Sequence, residues 1–386
     1  MEHKRKKILI ICDASDTLLN FRGQLMAALL IHNDLTVFCP TIKRKEIRDA
    51  LSAMGVRVEE NDLKSSKIAL LSDLKYLRSL YRLIKGTHPD LVFPYAFKPV
   101  IYGTLVARYC RIKRITPMLT GLGYNFSAAN PRRKWWSIIT RNLLKIALCP
   151  HPSLRIIFQN KDDLKMLMHK NIIRKSASAY VVNGSGVDLQ HYRYSMPVQE
   201  PMNFLMISRL INAKGIREYY EAAKRMRALF PEARFKLIGP DEENVDSIDR
   251  ALYQEIKSCK IIEYYGAVND VRPYIRNAGV VVLPSYYGEG IPRSLLEAMA
   301  MGRAIITCDT TGCRETVSHG HHPSGSFSNG ILIPIRDTNA LVIAMTYFMK
   351  HTQDIIQFGL NGRALAADKF DVHQVNAKML HILQDA

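Results

Sequence analysis

The sequence has no apolar stretch that reaches the ~18–20 residues needed to span a bilayer. It also lacks the GxGxxG motif of dinucleotide-binding folds and the GxxxxGK[S/T] loop of P-loop NTPases. These absences argue against a multi-span membrane protein, a nicotinamide or flavin enzyme of the usual pattern, and a P-loop nucleotidase. Its seven cysteines form no CxxC pair, which disfavours zinc and thioredoxin-like sites and fits a reducing cytoplasm.

Charge is distributed unevenly along the 386 residues, which carry a formal net charge of +19. Residues 1–200 contain 33 basic and 15 acidic side chains, whereas residues 201–386 contain 21 and 20. A basic half favours nucleic acid, an anionic membrane surface or a polyanionic substrate as its partner. Solubility through like charge is the alternative, but it would not confine the excess to one half.

The N-terminus is basic and then apolar, like the start of a signal peptide. Asp13 and Asp16 interrupt the apolar run after five residues, and no small-residue cleavage site follows. We therefore predict that Ile8–Cys12 is a buried first strand.

Short apolar runs alternate with helical patterns in both halves, which predicts an α/β protein with parallel sheets covered by helices on both faces. The predicted strands are Ile8–Cys12, Leu35–Cys39, Val56–Val58, Leu91–Phe93, Arg114–Leu119, Ile156–Gln159, Tyr180–Val182, Phe204–Ser208, Phe235–Ile238, Ile261–Tyr265, Val280–Leu283 and Ala304–Thr307. We expect two Rossmann-like, doubly wound domains that face each other across a cleft. The predicted domains are residues 1–195 and 196–368, with a C-terminal helix in 369–386 that returns to the N-terminal domain.

Two cations follow the strand predicted at Phe204–Ser208. Arg209 directly follows the strand, and Lys214 precedes Gly215 at the start of the next helix. Ligands of open α/β sheets bind at the carboxyl ends of the strands, and a helix N-terminus with two cations suits a phosphate or diphosphate. Two solvated surface cations are the alternative interpretation.

Two carboxylates follow the strand predicted at Val280–Leu283. Glu289 lies between two glycines, and Glu297 lies eight residues later in an apolar helical stretch. The glycines let the backbone approach a ligand closely. A carboxylate on an apolar helix is costly without a partner, which a pair of ligand hydroxyls would supply. An internal salt bridge or a helix-cap contact is the alternative.

These residues resemble retaining family 4 glycosyltransferases of the GT-B fold. The resemblance covers essentially the whole chain, with its specific motifs in the second half. The matching stretches are 181–188, Met206–Leu210, Lys214–Ile216, Leu237–Gly239, Asp270–Arg272, Leu283–Met301, Thr311–Glu315 and Asn329–Pro334.

A narrower likeness is to bacterial enzymes that extend polyprenyl-diphosphate-linked saccharides for O-antigen, capsule or N-glycan assembly, several of which transfer N-acetylhexosamines. Tyr95–Pro99 and Thr120–Tyr124 carry it. Phe97 is a departure, because many members have a His near this position that contacts the donor sugar. The stretch His319–Ser328 is a second departure from the family pattern. Its three histidines lack acidic partners, so we predict a flexible loop and no metal site.

The resemblance implies a UDP-sugar donor, most simply UDP-N-acetylgalactosamine, and an α-linked product made with retention of configuration in O-antigen or lipopolysaccharide biosynthesis. Arg209 and Lys214 would stabilise the leaving diphosphate, Glu289 would hold the transferred sugar, and Glu297 the ribose. The implied catalytic residues are Glu289, Arg209 and Lys214.

The resemblance also implies further binding residues. Those implied to bind the donor are Gly239, Val268, Gly290, Ile291, Pro292 and Glu297. Those implied to face the acceptor or sugar are Lys98, Gly121, Gly123 and Tyr124. No Asp-x-Asp occurs, so we expect no metal requirement and no cofactor.

We expect the basic half of the chain to bind the acceptor. Arg132, Arg133, Lys134, Trp135 and Trp136 precede an apolar-rich helical stretch at Ile138–Leu148. Tryptophans beside basic residues suit a lipid–water interface, which predicts a cytoplasmic protein held at the inner face of the cell membrane. A core helix with a solvated basic start is the alternative.

Rival functions remain open at this point: transfer to a soluble acceptor, a nucleotide-sugar epimerase of the same fold, or a basic nucleic-acid-binding protein. No RNA-binding signature is present, and the last rival gives Glu289 and Glu297 no role.

Overall fold

The computed structural model describes residues 5–62, 70–123, 126, 134–241, 246–318 and 328–384, with the backbone alone at 70–71 and 134–137. The chain forms two compact units. The first comprises residues 1–185 with 374–386, and the second comprises residues 186–373.

The first unit is built on parallel strands. Five of them form a sheet in the order β3-β2-β1-β4-β5, and three form a second sheet in the order β6-β7-β8. A parallel bridge between Tyr95 and Met118 connects the end of β4 to β6. The strands are β1 (Lys6–Ile11), β2 (Asn33–Pro40), β3 (Arg57–Asn61), β4 (Leu91–Pro94), β5 (Arg114–Ile115), β6 (Met118–Leu119), β7 (Ile156–Phe158) and β8 (Ala179–Val181).

Helices cover both faces of the five-stranded sheet in the first unit. Alternate apolar residues of β1 point to opposite faces of this sheet, and both sets are buried. Ile8 and Ile10 join one buried cluster, and Leu9 and Ile11 join another. The helices of this unit are α1 (Leu18–Leu30), α2 (Lys45–Ala53), α3 (Leu70–Thr87), α4 (Phe97–Tyr109), α5 (Lys134–Ala147) and α6 (Lys161–His169), together with most of the C-terminal helix, α13 (Val372–Gln384).

The second unit contains six parallel strands in the order β11-β10-β9-β12-β13-β14. Counted within the unit, this is the order 3-2-1-4-5-6 of a Rossmann fold. The strands are β9 (Asn203–Ile207), β10 (Arg234–Ile238), β11 (Glu263–Tyr264), β12 (Val280–Leu283), β13 (Ala304–Cys308) and β14 (Gly330–Ile333). The central strand β12 is buried along its whole length, as expected where helices cover both faces.

The helices of the second unit are α7 (Ile216–Leu229), α8 (Arg250–Ser258), α9 (Arg272–Arg276), α10 (Arg293–Ala300), α11 (Thr338–Lys350) and α12 (Asp354–Lys369). Asp249 and Asp337 begin α8 and α11 by accepting hydrogen bonds from backbone N–H groups in the first turn. A single 3-10 turn at Asn212–Lys214 precedes α7.

The single strand predicted over Arg114–Leu119 is wrong. The chain forms β5 and β6 instead, which belong to different sheets. Pro117 lies between them and cannot donate to a ladder. The N–H of Thr116 bonds to Val92 in one sheet, while the carbonyl of Pro117 accepts from Ile157 in the other.

The first boundary between the units lies at Ser185–Gly186, earlier than the predicted 195–196. Backbone hydrogen bonds explain the difference. Val187 donates to the carbonyl of Phe370 and accepts from Val372, so the chain is tied to the second unit from this point. The second boundary lies at His373–Gln374, and Val375 and Met379 of α13 pack in the core of the first unit.

Candidate active site

The predicted donor residues lie at the carboxyl ends of the strands in the second unit. β9 and β12 are neighbours in the sheet but are first and fourth in order along the chain, so the direction of winding reverses between them. Open α/β sheets bind ligands at this reversal point. Arg209 and Lys214 follow β9, and Glu289 follows β12.

Lys214 and Glu289 form an ion pair, from Nζ to Oε1. Their side chains are 13% and 11% exposed. Ser285, which follows β12, donates a hydrogen bond of 3.0 Å to the same carboxylate oxygen. The Nζ atom of Lys214 also lies 5.5 Å from the ring centre of Tyr287. Two charged groups predicted separately from sequence are therefore brought into one nearly buried cluster.

Gly215 makes this meeting possible. It has a left-handed backbone, with φ of +79°, and a Cβ added there would lie 2.3 Å from the carbonyl oxygen of Pro284. The turn that carries Lys214 therefore rests directly on the end of β12, where Tyr286 donates its N–H to the carbonyl of Ala213 at 2.9 Å. Only glycine fits this approach.

Arg209 is exposed at the end of β9. Within the described residues, its guanidinium makes no hydrogen bond or ion pair. The backbone beside it is held close to the end of β10, since a Cβ on Gly239 would lie 1.8 Å from the carbonyl oxygen of Ser208. Arg209 is thus a cation at the carboxyl edge of the sheet whose guanidinium can bind an anionic ligand.

The other predicted donor residues line the same edge of the sheet. Val268 is half-buried in the loop after β11 and packs against the core. Gly290, Ile291 and Pro292 are buried and lead into the N-terminus of α10. The backbone N–H groups and the helix dipole at such a position favour negative charge.

Glu297 on α10 is 8% exposed. Its Oε1 accepts a hydrogen bond of 2.9 Å from Nε of Arg293 and one of 2.8 Å from the hydroxyl of Tyr192. Burial raises the pKa of this carboxyl, and Arg293 and Tyr192 oppose the rise. The internal salt bridge that sequence left as an alternative is therefore present.

Three of these contact residues were not predicted: Ser285, Arg293 and Tyr192. Arg293 could have been found, because it lies four residues before Glu297 and so falls on the same helix face. Tyr192 is separated from Glu297 by 105 positions, and no local pattern connects them.

In the first unit, the predicted sugar-facing residue Lys98 lies on α4 and is 9% exposed. Its Nζ is 3.3 Å from Oδ1 of Asp73 on α3, and Oδ2 of the same carboxylate accepts a 2.9 Å hydrogen bond from Tyr102. Gly121 and Gly123 lie in the turn after β6. The first unit thus supplies Lys98 with an acidic partner of its own.

Several predicted residues lie outside what the structure describes. These are Tyr124, Arg132, Arg133 and, in the histidine-containing loop, residues 319–327. Lys134, Trp135 and Trp136 begin α5, but only their backbone is described.

The described part of α5 exposes apolar side chains. Ile138, Ile139 and Ile146 are 49%, 45% and 58% exposed, and the exposed Lys145 lies on the same helix. Leu144 faces the core instead. The helix therefore presents a mixed apolar and basic surface, unlike a core helix whose apolar residues are all covered.

No helix among the described residues is long and apolar enough to cross a membrane. Nor do those residues group three or more His, Cys, Asp or Glu side chains so that they could hold a metal ion.

Comparison with known proteins matches each half of the chain to a glycosyltransferase family. Residues 201–351 match the model for glycosyl transferases group 1, and residues 7–160 match the model for glycosyl transferase 4-like proteins. A relative from Campylobacter jejuni is named N,N'-diacetylbacillosaminyl-diphospho-undecaprenol alpha-1,3-N-acetylgalactosaminyltransferase. It is 24% identical over 82% of this chain and 84% of its own length. A relative from Escherichia coli, named UDP-Gal:alpha-D-GlcNAc-diphosphoundecaprenol alpha-1,3-galactosyltransferase, is 24% identical over 72% of this chain and 71% of its own.

Solved structures share the fold. Anabaena HepE, crystallised with UDP and glucose, aligns with a TM-score of 0.75 at 16% identity, covering 99% of this chain and 100% of its own. Sucrose-phosphate synthase from Thermosynechococcus elongatus aligns with a TM-score of 0.76 at 18% identity, covering 97% of each chain. The predicted GT-B fold, with two Rossmann-like domains, is confirmed.

Proposed function

We propose a donor, an acceptor and a mechanism for this chain, which belongs to the family 4 glycosyltransferases and has the GT-B fold. It transfers a sugar from a UDP-sugar to a polyprenyl-diphosphate-linked saccharide in cell-surface glycan assembly. The observation that carries the proposal is the ion pair of Lys214 and Glu289 at the winding reversal of the second unit, with Arg209 at the end of β9, where no described residue pairs with its guanidinium. The two relatives named above, whose names specify polyprenyl-linked acceptors, support the choice of acceptor.

The diphosphate is bound by Arg209 and Lys214. As the bond between the sugar and the diphosphate breaks, negative charge accumulates on the leaving phosphate, and cations placed in advance stabilise it. The diphosphate competes with Glu289 for the ammonium of Lys214. Donor binding therefore frees the carboxylate of Glu289, held by Ser285, to accept hydrogen bonds from the hydroxyls of the transferred sugar.

The transfer proceeds with retention of configuration. The acceptor hydroxyl attacks the anomeric carbon from the face that the diphosphate leaves. The new C–O bond forms as the bond to the diphosphate oxygen breaks, and the hydroxyl proton passes to the departing phosphate. The positioned cations, together with Gly290, Ile291 and Pro292 at the start of α10, stabilise the leaving group.

The nucleoside is held on the same edge of the sheet. Glu297 accepts hydrogen bonds from the ribose hydroxyls, and the segments at Gly239 and Val268 lie beside the base. The best donor is UDP-N-acetylgalactosamine, giving an α-linked product, and the name of the Campylobacter relative supports this choice.

The reaction needs no metal and no cofactor. Arg209 and Lys214 supply the positive charge that a divalent cation would otherwise provide to the diphosphate. The sequence has no Asp-x-Asp, which would favour such a cation.

The first unit supplies the acceptor side, with Gly121, Gly123 and Tyr124 near the acceptor saccharide. The protein works in the cytoplasm, bound to the inner face of the cell membrane through α5, which begins with Lys134, Trp135 and Trp136, and through the basic residues Arg132 and Arg133 that precede it in the sequence. The exposed isoleucines of α5 support this surface, because their burial in lipid removes apolar area from water.

A donor screen tests the proposal. Purified protein is incubated with each common UDP- and GDP-sugar and a synthetic polyprenyl-diphosphate-linked saccharide, with and without EDTA, and products are identified by mass spectrometry. We expect transfer from a UDP-N-acetylhexosamine at an equal rate in EDTA. Loss of activity in EDTA would contradict metal independence. Transfer to a free saccharide at an equal rate would indicate a soluble acceptor.

Two further assays test the remaining alternative functions. Interconversion of UDP-sugars without an acceptor would indicate an epimerase. Retardation of RNA or DNA in a gel at physiological salt, without any transfer, would favour the nucleic-acid-binding alternative. We expect neither result.

A further inference from the structure

Tyr192 contacts the carboxylate of Glu297, which the proposed function assigns to binding the ribose. Its side chain is nearly buried, with 8% of the residue exposed, and its hydroxyl donates a 2.8 Å hydrogen bond to Oε1 of Glu297. Arg293 donates to the same oxygen from Nε at 2.9 Å. One oxygen of the carboxylate therefore receives two hydrogen bonds from the protein.

The backbone of Tyr192 is fixed to the helix that carries Glu297. Nη1 of Arg363 on α12 donates to the carbonyl of Tyr192 at 2.9 Å and to the carbonyl of Ala300, at the end of α10, at 2.6 Å. The N–H of Tyr192 bonds to the carbonyl of Asp188 at 2.9 Å. The phenol is thus held at a constant place relative to α10.

The second carboxylate oxygen has a different environment. No described residue donates a hydrogen bond to Oε2 of Glu297. A carboxylate held by Arg293 alone, through one bond from Nε, could rotate about its terminal torsion, because that torsion is broad. A second bond to the same oxygen, from a different direction, stops this rotation. Oε2 then keeps one direction in which it can accept a hydrogen bond from a ligand.

We propose that Tyr192 is a positioning residue for the nucleotide site: it fixes Oε1 of Glu297 so that Oε2 points at the ribose hydroxyls. Tyr192 thereby determines how well the site distinguishes a ribonucleotide from a deoxyribonucleotide. This inference rests on the proposed function, in which Glu297 holds the ribose. A buried acceptor aimed at a hydroxyl discriminates against the analogue without it, because the acceptor is then left unpaired.

The test replaces Tyr192 by Phe, which removes only the hydroxyl. Tyr194→Phe is the matched control, because the Tyr194 hydroxyl lies in the same segment and, among the described residues, has only a 3.9 Å contact to the sulfur of Met196. Binding of UDP and of 2'-deoxy-UDP is measured by calorimetry for wild type, both variants and Glu297→Gln. We expect Tyr192→Phe to bind UDP about tenfold more weakly, since it loses a hydrogen bond to a charged group. The affinity for 2'-deoxy-UDP should fall less, so the ratio of the affinity for UDP to that for 2'-deoxy-UDP becomes smaller.

Steady-state kinetics add a readout that a general structural defect would not give. Tyr192→Phe should raise the KM for the UDP-sugar and leave kcat at saturating donor within about twofold, because a uniform binding interaction is lost. Tyr194→Phe should match wild type in both assays.

The outcomes separate this inference from the proposed function. If Glu297→Gln keeps the wild-type preference for UDP, the ribose assignment itself is wrong. If Glu297→Gln loses the preference while Tyr192→Phe keeps it, the ribose assignment stands and the positioning role of Tyr192 is overturned. A fall in kcat with unchanged KM in Tyr192→Phe would also overturn it.

Discussion

Lys214 and Glu289 are oppositely charged, nearly buried and in contact. At an exposed site such a pair contributes little, but here each charge has lost most of its hydration and depends on the other. A diphosphate that takes over the ammonium of Lys214 restores the charge balance around it. The pair is therefore suited to a site that exchanges one anionic partner for another.

Lys214→Ala and Glu289→Gln should each reduce transfer by at least about 100-fold, because each removes a group aimed at charge or hydroxyls in the transition state. The measurement is the initial rate of sugar transfer, with circular dichroism and thermal melting to check the fold. Lys224→Ala and Glu255→Gln are matched controls, since this Lys–Glu pair of the same unit is 3.5 Å apart and about 40% exposed on each side. Near wild-type turnover in either site variant would refute the donor-site assignment.

The carboxyl of Glu297 gives the donor site a pH dependence. Burial raises its pKa above the ordinary value of 4.5, although Arg293 and Tyr192 oppose the rise. Protonation turns one carboxyl oxygen into a hydrogen-bond donor and removes the negative charge, so the carboxyl becomes a weaker acceptor for the ribose hydroxyls. As the pH falls, Glu297 becomes protonated at a higher pH than an ordinary glutamate would, and donor binding weakens.

The KM for the UDP-sugar should therefore rise on acidification, and the rise should begin at a higher pH than for an ordinary glutamate. The check is a KM–pH profile for wild type beside Glu297→Gln. The variant should have a higher KM throughout and should lack this acidic rise. An identical acidic rise in both proteins would assign the titration to a different group.

At the scale of elements, α3 and α4 of the first unit are joined by buried charges. Lys98 on α4 and Asp73 on α3 have side chains that are 11% and 8% exposed, and Tyr102 completes the carboxylate's hydrogen bonds. The ion pair between Lys98 and Asp73 therefore connects α4 to α3. We propose this role for Lys98 in place of the contact with sugar that its sequence position implied.

A double-mutant cycle distinguishes the two roles. Lys98→Met and Asp73→Asn should each lower the free energy of unfolding by about 3 kcal/mol, because each breaks a buried ion pair by removing one of its two charges. The double variant should lose less than the sum of the two, as expected for residues in contact. Urea unfolding of the three variants measures this. Additive losses, with donor KM raised in Lys98→Met alone, would instead support a sugar contact.

The elements themselves could be predicted where one signal dominates. Strand β12 begins and ends at the predicted residues, since its run of apolar residues and the following Pro284 leave no alternative. The interval Arg114–Leu119 could not be resolved, because the effect of Pro117 depends on which strands lie beside it. The site follows the same logic. Glu289 and Lys214 stand out through local motifs, but their mutual contact, and that of Tyr192 with Glu297, depend on pairings between distant segments.

At the scale of the whole molecule, the two halves of the chain differ in charge more than in fold. Both are parallel α/β units, yet residues 1–200 carry nearly all of the net positive charge. Residues 101–150 alone contain nine Lys and Arg and no Asp or Glu. This interval includes α5 with its exposed isoleucines. Positive charge around an exposed apolar helix face suits an anionic lipid surface, because electrostatic attraction and apolar burial then act together.

The protein should therefore bind vesicles that contain phosphatidylglycerol and should float with them in a density gradient, but not with vesicles of phosphatidylcholine alone. High salt should weaken the binding, since the electrostatic part is screened beyond roughly 8 Å at physiological ionic strength. Ile138→Ser/Ile139→Ser should reduce flotation, as should Trp135→Ala/Trp136→Ala. Ile343→Ser, at a 70% exposed isoleucine of the second unit, is the matched control and should change nothing. Hydrolysis of the UDP-sugar in the absence of acceptor should be equal in all variants, because it depends on the donor site alone. If both double variants float like wild type, α5 is not the membrane surface, and the positive charge of the first half must serve the acceptor diphosphate instead.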